Sequence, residues 1–448
     1  MSVTYREALG AALLDALAAD ERVVLLGQDI GARGGAYGVT AGLLEAFGPA
    51  RVRDAPSSEA ALLGVGVGAA LAGMRPVVEL TTAAFLPLAY DQLVHHLAAA
   101  RALSGGALRV PLVLRVPQGA GARLGPVHSA NVEGLLHHIP GLRVVAPATV
   151  GDARGMLRAA IADDEPVVVL EHTGLYDLVG EDDDGGVAAL DRAVVRRAGG
   201  DVTLIAASRM AVVAARAAET LAEKHGFAAT VVDLRSLRPL DLETVRTAAR
   251  GANGRAVIVE EGWPNGGVGA TLAAALGGRV VRVTGADAFV PYARALEAAA
   301  LPDEDAVVRA ALPLARVRDR RAIGGPDHTM TIEIDMEALV AARRASGGRS
   351  LGDLVAAAVH ELLGPFGEAA IVTDGGAVTV LGDNRRTSPR LPAATLVFGP
   401  VKTSPAAVDG AVTIRHLATL TLTLAAGLAT SEDATTLLAA LRERLEAG

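Results

Sequence analysis

The sequence predicts an α/β fold for most of the chain, because short β-branched runs alternate with Ala- and Leu-rich stretches. In those stretches apolar residues recur every three or four positions, as on one face of a helix. Strand–helix alternation of this kind gives parallel sheets that are covered on both faces. The predicted strands, in order, are Arg22–Leu26, Pro76–Leu80, Pro111–Val116, Arg143–Ala146, Pro166–Glu171, Val202–Ala206, Ala229–Leu234, Ala256–Glu260 and Arg279–Val283.

Two interruptions of this pattern divide the chain into three predicted domains. Residues 179–189 are acidic and Gly-rich, which is typical of a linker or an exposed loop, and residues 316–326 are rich in Arg, Gly and Pro. The predicted domains are residues 1–180, 190–316 and 327–448. Within the last of these, alternation predicts strands at 330–336 and 419–428, and apolar periodicity predicts helices at 337–345, 351–363 and 431–445.

Composition argues against several classes of function. The 448 residues carry 42 basic and 50 acidic side chains and few aromatic ones, which disfavours nucleic acid as a partner. The absence of Cys excludes disulfides, thiolate metal sites and a Cys nucleophile. The longest uncharged stretch, residues 262–278, is shorter than the roughly 20 apolar residues that cross a bilayer. We therefore expect a cytoplasmic protein with no membrane partner.

Glu59 is the first candidate functional residue. It follows two serines and begins a predicted helix with glycines at 64, 68 and 73. A Ser cap with an acidic residue in the first turn complements the helix dipole, which is the simpler interpretation from the residues alone. The glycines also favour close approach of another helix, and the carboxylate would then be buried at an interface.

His128 is the second candidate, since it lies in a Gly-rich loop between a predicted strand and a helix, where α/β folds bind ligands. A loop histidine is nevertheless more often a surface or capping residue. His137 and His138 lack a third ligand and are interpreted as helix and packing residues. The glycines after Glu260 resemble a dinucleotide-binding loop, but their spacing does not fit, so helix packing is preferred.

Several long motifs, in the same order along the chain, resemble the beta subunit of the thiamine-diphosphate-dependent 2-oxo acid dehydrogenases. This subunit belongs to the decarboxylating first component. The motifs run from Val3 to about Leu314 and include TYREAL, GGAYGVTAGL, DAPSSEAALLGVGVGAALAGMRPVVEL, VHSANVEGLLHHIPGLRVVAP, VVDLRSLRPLD, VEEGWPNGGVGA and VPYARALE. The resemblance implies a transketolase-like pyrimidine-binding domain followed by a transketolase C-terminal-like domain.

The resemblance also implies roles for four side chains. Glu59 matches the catalytic glutamate that hydrogen-bonds the aminopyrimidine of thiamine diphosphate and favours its imino tautomer. Phe85 matches the aromatic residue that packs on the pyrimidine. His128 matches a histidine held near the reacting keto acid. Gln28 stands where most relatives have glutamate, so one titratable group beside the cofactor is lost.

Ions and a partner subunit are implied as well. Mg²⁺ and the diphosphate would be bound by an alpha subunit, because Gly382-Asp383-Asn384 lacks the second glycine and the distal Asn of the family's metal-binding segment. We therefore expect an α2β2 assembly that shares thiamine diphosphate between subunits. Backbone carbonyls of four residues match a structural potassium site in the family: Leu112, Ala160, Asp163 and Glu165.

The last 120 residues or so resemble a shortened dihydrolipoamide acyltransferase catalytic domain, a small α/β domain. Where that family has its catalytic Asp-His-Arg motif, this chain has Ala425-Ala426-Gly427. We therefore expect no acyltransferase activity and a scaffold role, with higher-order assembly through this domain. Neither Lys224 nor Lys402 lies in an Asp-Lys-Ala turn, so a lipoyl arm would have to come from another chain.

The sequence and its resemblances leave three functions to consider. The leading one is decarboxylation of a 2-oxo acid of the pyruvate or branched-chain type, with transfer of the acyl group to a lipoyl-bearing acyltransferase. The alternative is a thiamine-diphosphate-dependent carboligase that forms an acyloin. The third, an assembly scaffold with a degenerate site, is disfavoured by the presence of Glu59, Phe85 and His128. Ala130-Asn131 replaces the usual Gln-Ser pair, so the substrate stays open.

Overall fold

The computed structural model describes residues 2–181 and 188–316, and six further strands by their backbone. The chain forms two compact units, residues 1–318 and 319–448, and each is described by itself. The strands of the first unit are β1 Ser2–Thr4, β2 Val23–Gly27, β3 Val52–Asp54, β4 Arg75–Glu79, β5 Val113–Gln118, β6 Arg143–Val145, β7 Val167–His172, β8 Val179–Glu181, β9 Val194–Arg197, β10 Val202–Ala206, β11 Ala229–Asp233, β12 Ser236–Arg238, β13 Arg255–Val259 and β14 Arg279–Val283.

Its α-helices are α1 Tyr5–Ala19, α2 Leu43–Phe47, α3 Glu59–Leu71, α4 Ala100–Leu103, α5 Glu133–His137, α6 Val150–Ala162, α7 Ser208–His225, α8 Leu242–Gly251, α9 Val268–Leu276, α10 Arg294–Ala300 and α11 Glu304–Arg316. Ala83–Ala89 and Thr173–Leu175 are 3₁₀-helical, and Gln92–Ala98 is a π-helical stretch. No helix in the described parts of the chain is long and apolar enough to cross a membrane.

The predicted α/β fold is confirmed, and all nine predicted strands are present within two residues of their predicted bounds. Five strands of three or four residues were not predicted, because runs this short show no measurable alternation: β1, β3, β8, β9 and β12. The prediction that residues 179–189 form only a linker is wrong at its start. There β8 pairs antiparallel with β1.

The first sheet has seven strands in the order β12-β6-β7-β5-β4-β2-β3, and the second has five in the order β14-β13-β10-β11-β9. Both are parallel except for one antiparallel edge strand each, β12 and β9. Although β12 lies in the second half of the unit by sequence, it extends the first sheet beside β6.

Strand residues alternate between apolar clusters on opposite faces of the sheets. Leu114 and Val116 of β5 belong to a cluster that also includes Ile205 of β10, so this core reaches from one face of the first sheet to the second sheet. Val113 faces the other side of the first sheet, where α1 and α6 pack. Each sheet is thus covered on both faces.

Helix α1 shows how the sequence sets these elements locally. The Thr4 hydroxyl accepts a hydrogen bond from the Glu7 backbone at 3.2 Å, and the Glu7 carboxylate accepts one from the Thr4 backbone at 2.7 Å. This reciprocal pair is a capping box, which satisfies two backbone donors that a helix start leaves unpaired. Leu9 and Leu13, on the inner face, are fully buried against the first sheet.

In the second unit, the long strand β20 (Ala411–Leu424) pairs antiparallel with β15 (His328–Asp335), β18 (Ala394–Phe398) and β19 (Lys402–Val408). A separate hairpin joins β16 (Ala369–Asp374) to β17 (Ala377–Gly382). The two predicted strands of this region are confirmed where they overlap β15 and β20. The three predicted helices, Asp383-Asn384 and the Ala425–Gly427 motif lie outside the described residues.

Candidate active site

The side chains predicted to form the site follow the carboxyl ends of four neighbouring parallel strands. Gln28 comes directly after β2, and Glu59 begins α3 shortly after β3. Phe85 follows β4, and His128 lies in the loop that follows β5. Because the strand order is β5-β4-β2-β3, the four residues line one edge of the first sheet, where α/β folds bind ligands.

Phe85 and His128 are brought into direct contact. Their ring centroids lie 5.6 Å apart with an interplanar angle of 76°, an edge-to-face arrangement. Phe85 is partly buried, whereas His128 is exposed. Gln28 lies beside the same segment, because its side-chain oxygen accepts a hydrogen bond of 3.4 Å from the Thr81 hydroxyl.

Glu59 is the first residue of α3, as predicted, but the Ser-cap interpretation is wrong in one respect. Ser58 occupies the cap position with an extended backbone, yet its side chain makes no capping hydrogen bond. The Glu59 carboxylate is partly exposed and forms no hydrogen bond to another described residue. The carboxylate thus lies at the N-terminus of α3 with its oxygens available to a ligand.

Two glycines of α3, Gly66 and Gly68, have different surroundings. A Cβ at Gly66 would lie 2.6 Å from a methyl of Val78, so Gly66 is the position that lets α3 lie close to the sheet. A Cβ at Gly68 would meet nothing within 4 Å, and Val65 beside it is 61% exposed. Burial of Glu59 by a partner helix stays a prediction.

These residues fit the pyrimidine part of thiamine diphosphate. A carboxylate without a protein partner can accept the N–H of a pyrimidine ring, and an aromatic side chain can pack on its face. No group of three or more His, Asp or Glu side chains suited to a metal ion occurs among residues 2–181 and 188–316. The side chains at the sheet edge therefore fit the pyrimidine half of the cofactor, and binding of Mg²⁺ and the diphosphate by an alpha subunit stays a prediction.

The carbonyls predicted to bind potassium lie near the opposite ends of the strands and already accept hydrogen bonds. The Leu112 carbonyl accepts from the Val167 N–H at 3.0 Å, and that of Ala160 from the Asp163 N–H at 3.3 Å. The Asp163 carbonyl accepts from the Arg75 guanidinium at 2.9 Å. A carbonyl has a second lone pair, so a potassium ion stays a prediction for these residues and Glu165.

The packing interpretation of His137 is confirmed. Its Nδ1 lies 2.9 Å from the Leu237 carbonyl and its Nε2 3.2 Å from the Thr271 hydroxyl. The loop after β13 also has a structural explanation. Gly269 donates its N–H to the Glu260 carboxylate at 2.9 Å, and a Cβ at Gly269 would lie 2.3 Å from that carboxylate. The N-terminus of α9 is therefore occupied by the chain's own acid.

Beneath the site, three buried charges join the central strands of the first sheet. The Arg115 guanidinium donates to both oxygens of Glu171, at 2.7 and 2.8 Å, and also pairs with Glu79. The Tyr176 hydroxyl donates to Glu171 at 2.9 Å. Burial raises the pKa of the Glu79 carboxyl, Arg115 lowers it and the neighbouring Glu171 raises it again, with a net increase.

Sequence reasoning missed three buried carboxylates beside the His128 loop: Glu133, Glu261 and Glu297. Glu133 accepts a hydrogen bond from the Gln118 side chain at 2.9 Å. Burial, followed by the negative charges of Glu261 and Glu260, raises the pKa of Glu133 to about 7. The acidic pair after β13 was visible in the sequence, but nothing there indicated that Glu261 reaches the first sheet.

Comparisons with known proteins agree with this architecture. Residues 1–178 match the family described as transketolase, pyrimidine binding domain, and residues 191–307 match transketolase, C-terminal domain. A solved structure described as a split gene transketolase, inactive beta4 tetramer, superposes with a TM-score of 0.57 at 25% identity. It covers 70% of this chain and 99% of its own.

Curated relatives are beta subunits of one enzyme component. The pyruvate dehydrogenase E1 component subunit beta-1, mitochondrial, of Arabidopsis thaliana is 43% identical over 324 residues, which are 69% of this chain and 88% of that protein. The pyruvate dehydrogenase E1 component subunit beta of Rickettsia bellii is 39% identical over 319 residues, 69% of this chain and 98% of its own.

Proposed function

The chain belongs to the family of pyruvate dehydrogenase E1 component beta subunits, which are parts of thiamine-diphosphate-dependent 2-oxo acid dehydrogenases, and we propose that with an alpha subunit it decarboxylates a 2-oxo acid. The acid is of the pyruvate or branched-chain type, and the acyl group passes to a lipoyl-bearing partner. The observation that carries the proposal is the Phe85–His128 contact at the sheet edge that also presents Gln28 and Glu59.

In this proposal, three side chains at the edge of the first sheet bind the pyrimidine of the cofactor. The Glu59 carboxylate accepts the ring N–H of the aminopyrimidine and holds the proton there. Phe85 packs on the pyrimidine, and Gln28 offers an amide beside it. Thiamine diphosphate, when bound, supplies the nucleophilic carbon and the electron sink that decarboxylation needs.

His128 would act on the substrate. Its ring is exposed, and within the described residues it makes no side-chain hydrogen bond, so both nitrogens are available. An imidazole can donate a proton or a hydrogen bond to the oxygens of a 2-oxo acid. Contact with Phe85 holds the ring over the edge where the cofactor would lie.

The alpha subunit would bind the diphosphate and Mg²⁺ in an α2β2 assembly, because Gly382-Asp383-Asn384 lacks the second glycine and the distal Asn of the family's metal-binding segment. Potassium would be bound by the carbonyls of Leu112, Ala160, Asp163 and Glu165. For residues 327–448 we propose an acyltransferase-like scaffold without acyltransferase activity.

The test is an assay of the chain copurified with an alpha subunit, using pyruvate and branched-chain 2-oxo acids with thiamine diphosphate and Mg²⁺. We expect release of carbon dioxide and reductive acylation of a lipoyl domain, and neither from the chain alone. Formation of an acyloin without lipoyl acylation would favour the carboligase alternative. Carbon dioxide release from the chain without an alpha subunit would contradict the shared site.

A further inference from the structure

The loop that carries His128 has an unusual backbone. A hydrogen bond of 3.1 Å from the Gly119 N–H to the Ala130 carbonyl closes it. Within it Gly121 has φ +112°, Arg123 φ +58° and Gly125 φ +71°. Backbone in these conformations directs its N–H groups away from any regular ladder, and such donors need acceptors of their own.

Two carboxylates of the second half of the unit supply those acceptors. Glu261 accepts the Ala120 N–H at 2.8 Å, and one oxygen of Glu297 accepts the N–H groups of both Gly121 and Arg123, each at 3.0 Å. Glu261 is the second residue after β13, next to Glu260, and Glu297 lies in α10. The two acids are only 7% and 4% exposed, respectively. Hydrogen bonds to ionised acceptors are roughly twice as strong as neutral ones.

The second oxygen of Glu261 fixes the orientation of the carboxylate. It lies 2.8 Å from Nε2 of His172 and 3.3 Å from the Arg209 guanidinium. The Gly174 N–H donates to Nδ1 of His172 at 3.0 Å, so the His172 proton lies on Nε2 and is donated to Glu261. Burial would raise the pKa of Glu261, but His172, the Ala120 N–H and Arg209 together lower it, which keeps the carboxylate charged.

Gly119, at the start of the loop, packs directly on the His172 ring. A Cβ at Gly119 would lie 2.1 Å from Nε2 of His172, so only glycine lets the backbone rest directly on this imidazole. Gly125 is similarly close to the Tyr292 ring, since a Cβ at Gly125 would lie 2.3 Å from a ring carbon. Residues 119–125 are therefore held at both ends and along their N–H groups by side chains from outside the loop.

We propose that Glu261 and Glu297 are positioning residues that hold the His128 loop through its backbone and so set the distance between His128 and Phe85. This rests on the proposed function, because the role of His128 comes from it. Neither acid touches the predicted site residues. Both act through residues 120–123, and the second sheet thereby determines where a catalytic group of the first sheet lies.

The experiment compares Glu297→Ala with Glu297→Gln in the complex with an alpha subunit. We expect the Ala variant to lower kcat by ~10- to 100-fold, the effect of misplacing a reacting group by about 1 Å. Thiamine diphosphate affinity, measured by calorimetry, should change less than about twofold, because its proposed ligands lie on other strands. The Gln variant keeps an oxygen acceptor and should recover most of the lost kcat.

Amide hydrogen exchange tests the same contacts without relying on activity. In Glu297→Ala, exchange at Gly121 and Arg123 should accelerate, while exchange in β10 should not change. The matched control is Glu260→Gln, a buried acid that binds the Gly269 N–H and Arg282 but not the loop. It should leave both kcat and loop exchange unchanged.

The outcomes separate the two proposals. An active wild-type complex in which Glu297→Ala leaves kcat and loop exchange unaltered would overturn the positioning role alone. Equal losses of kcat in the Ala, Gln and control variants would overturn it too, since a general loss of stability would then be responsible. A wild-type complex without decarboxylase activity would overturn the proposed function. In that case the exchange measurement still tests the loop contacts, and unaltered exchange at Gly121 and Arg123 in Glu297→Ala would overturn them.

Discussion

Phe85 and His128 meet edge to face with their ring centroids 5.6 Å apart, although they lie in segments that follow different strands. The contact exists because β4 and β5 are parallel neighbours, so their carboxyl ends lie at the same edge of the sheet. Four predicted site residues from separate sequence motifs thereby line one surface. Substitutions on that surface, and among the buried charges that support it, have specific expected effects.

Glu59→Gln should lower decarboxylase activity by about 100-fold or more, the usual contribution of a positioned acid–base group. An amide keeps the shape of the side chain but cannot share a proton with the pyrimidine. Glu45→Gln is the matched control, because Glu45 is an exposed acid in the first turn of α2 and has the same relation to a helix dipole. Activity of the complex with an alpha subunit is the measurement, and equal losses in both variants would indicate a helix-dipole effect only.

Phe85→Leu should weaken thiamine diphosphate binding several-fold. Leucine retains much of the apolar volume but removes ring packing, which contributes about 0.5–1.5 kcal/mol for an aromatic pair. Calorimetric titration of the complex measures the dissociation constant, and Phe289→Leu, an exposed aromatic residue outside the predicted site, serves as control. An unchanged dissociation constant in Phe85→Leu would remove Phe85 from the cofactor site.

The sequence predicted nine of the twelve strands in the two sheets and the residues of the first sheet edge, because β-branched runs and collinear motifs are local signals. It did not predict β12, a strand of three residues that crosses from the second half of the unit to the first sheet. It also did not reveal Glu261 and Glu297. Their acceptor role depends on the left-handed backbone at Gly121 and Arg123, which only the folded chain shows.

The α3 glycines illustrate the same limit of local patterns. Gly64, Gly68 and Gly73 predict close approach of another helix, and this stays a prediction, because a Cβ at Gly68 or Gly73 would meet nothing within 4 Å in this chain. The spacing did not single out Gly66, which is the glycine that lets α3 lie close to Val78 of the sheet.

Arg115→Met should destabilise the first sheet by about 3–5 kcal/mol, because it leaves Glu79 and Glu171 buried without a cation. The control is Arg33→Met, whose exposed pair with Asp29 should contribute under about 1 kcal/mol. Urea unfolding monitored by circular dichroism measures the difference. Adding Glu79→Gln and Glu171→Gln to Arg115→Met should recover part of the loss, and no recovery would contradict an electrostatic cause.

Glu133→Gln should stabilise the protein at high pH and have little effect at low pH. Burial and the charges of Glu261 and Glu260 raise the pKa of Glu133 from its ordinary value of 4.5 to about 7. Below pH 4.5 the carboxyl is protonated in the folded and unfolded states alike. Between pH 4.5 and about 7 the folded state retains a proton that the unfolded state has lost, so the stability of the wild type falls as pH rises.

The variant has no such proton, and the amide oxygen that replaces the carboxylate can still accept a hydrogen bond from the Gln118 side chain. The gain in unfolding free energy should therefore grow from near zero at pH 4.5 to about 3 kcal/mol at pH 8, by the free energy that a shift of this size represents. Unfolding midpoints in urea at pH 5, 6, 7 and 8 give this difference, with Glu243→Gln on the exposed face of α8 as control. A gain that is the same at every pH would show that Glu133 does not titrate with folding, because only a proton held in the folded state makes the difference depend on pH.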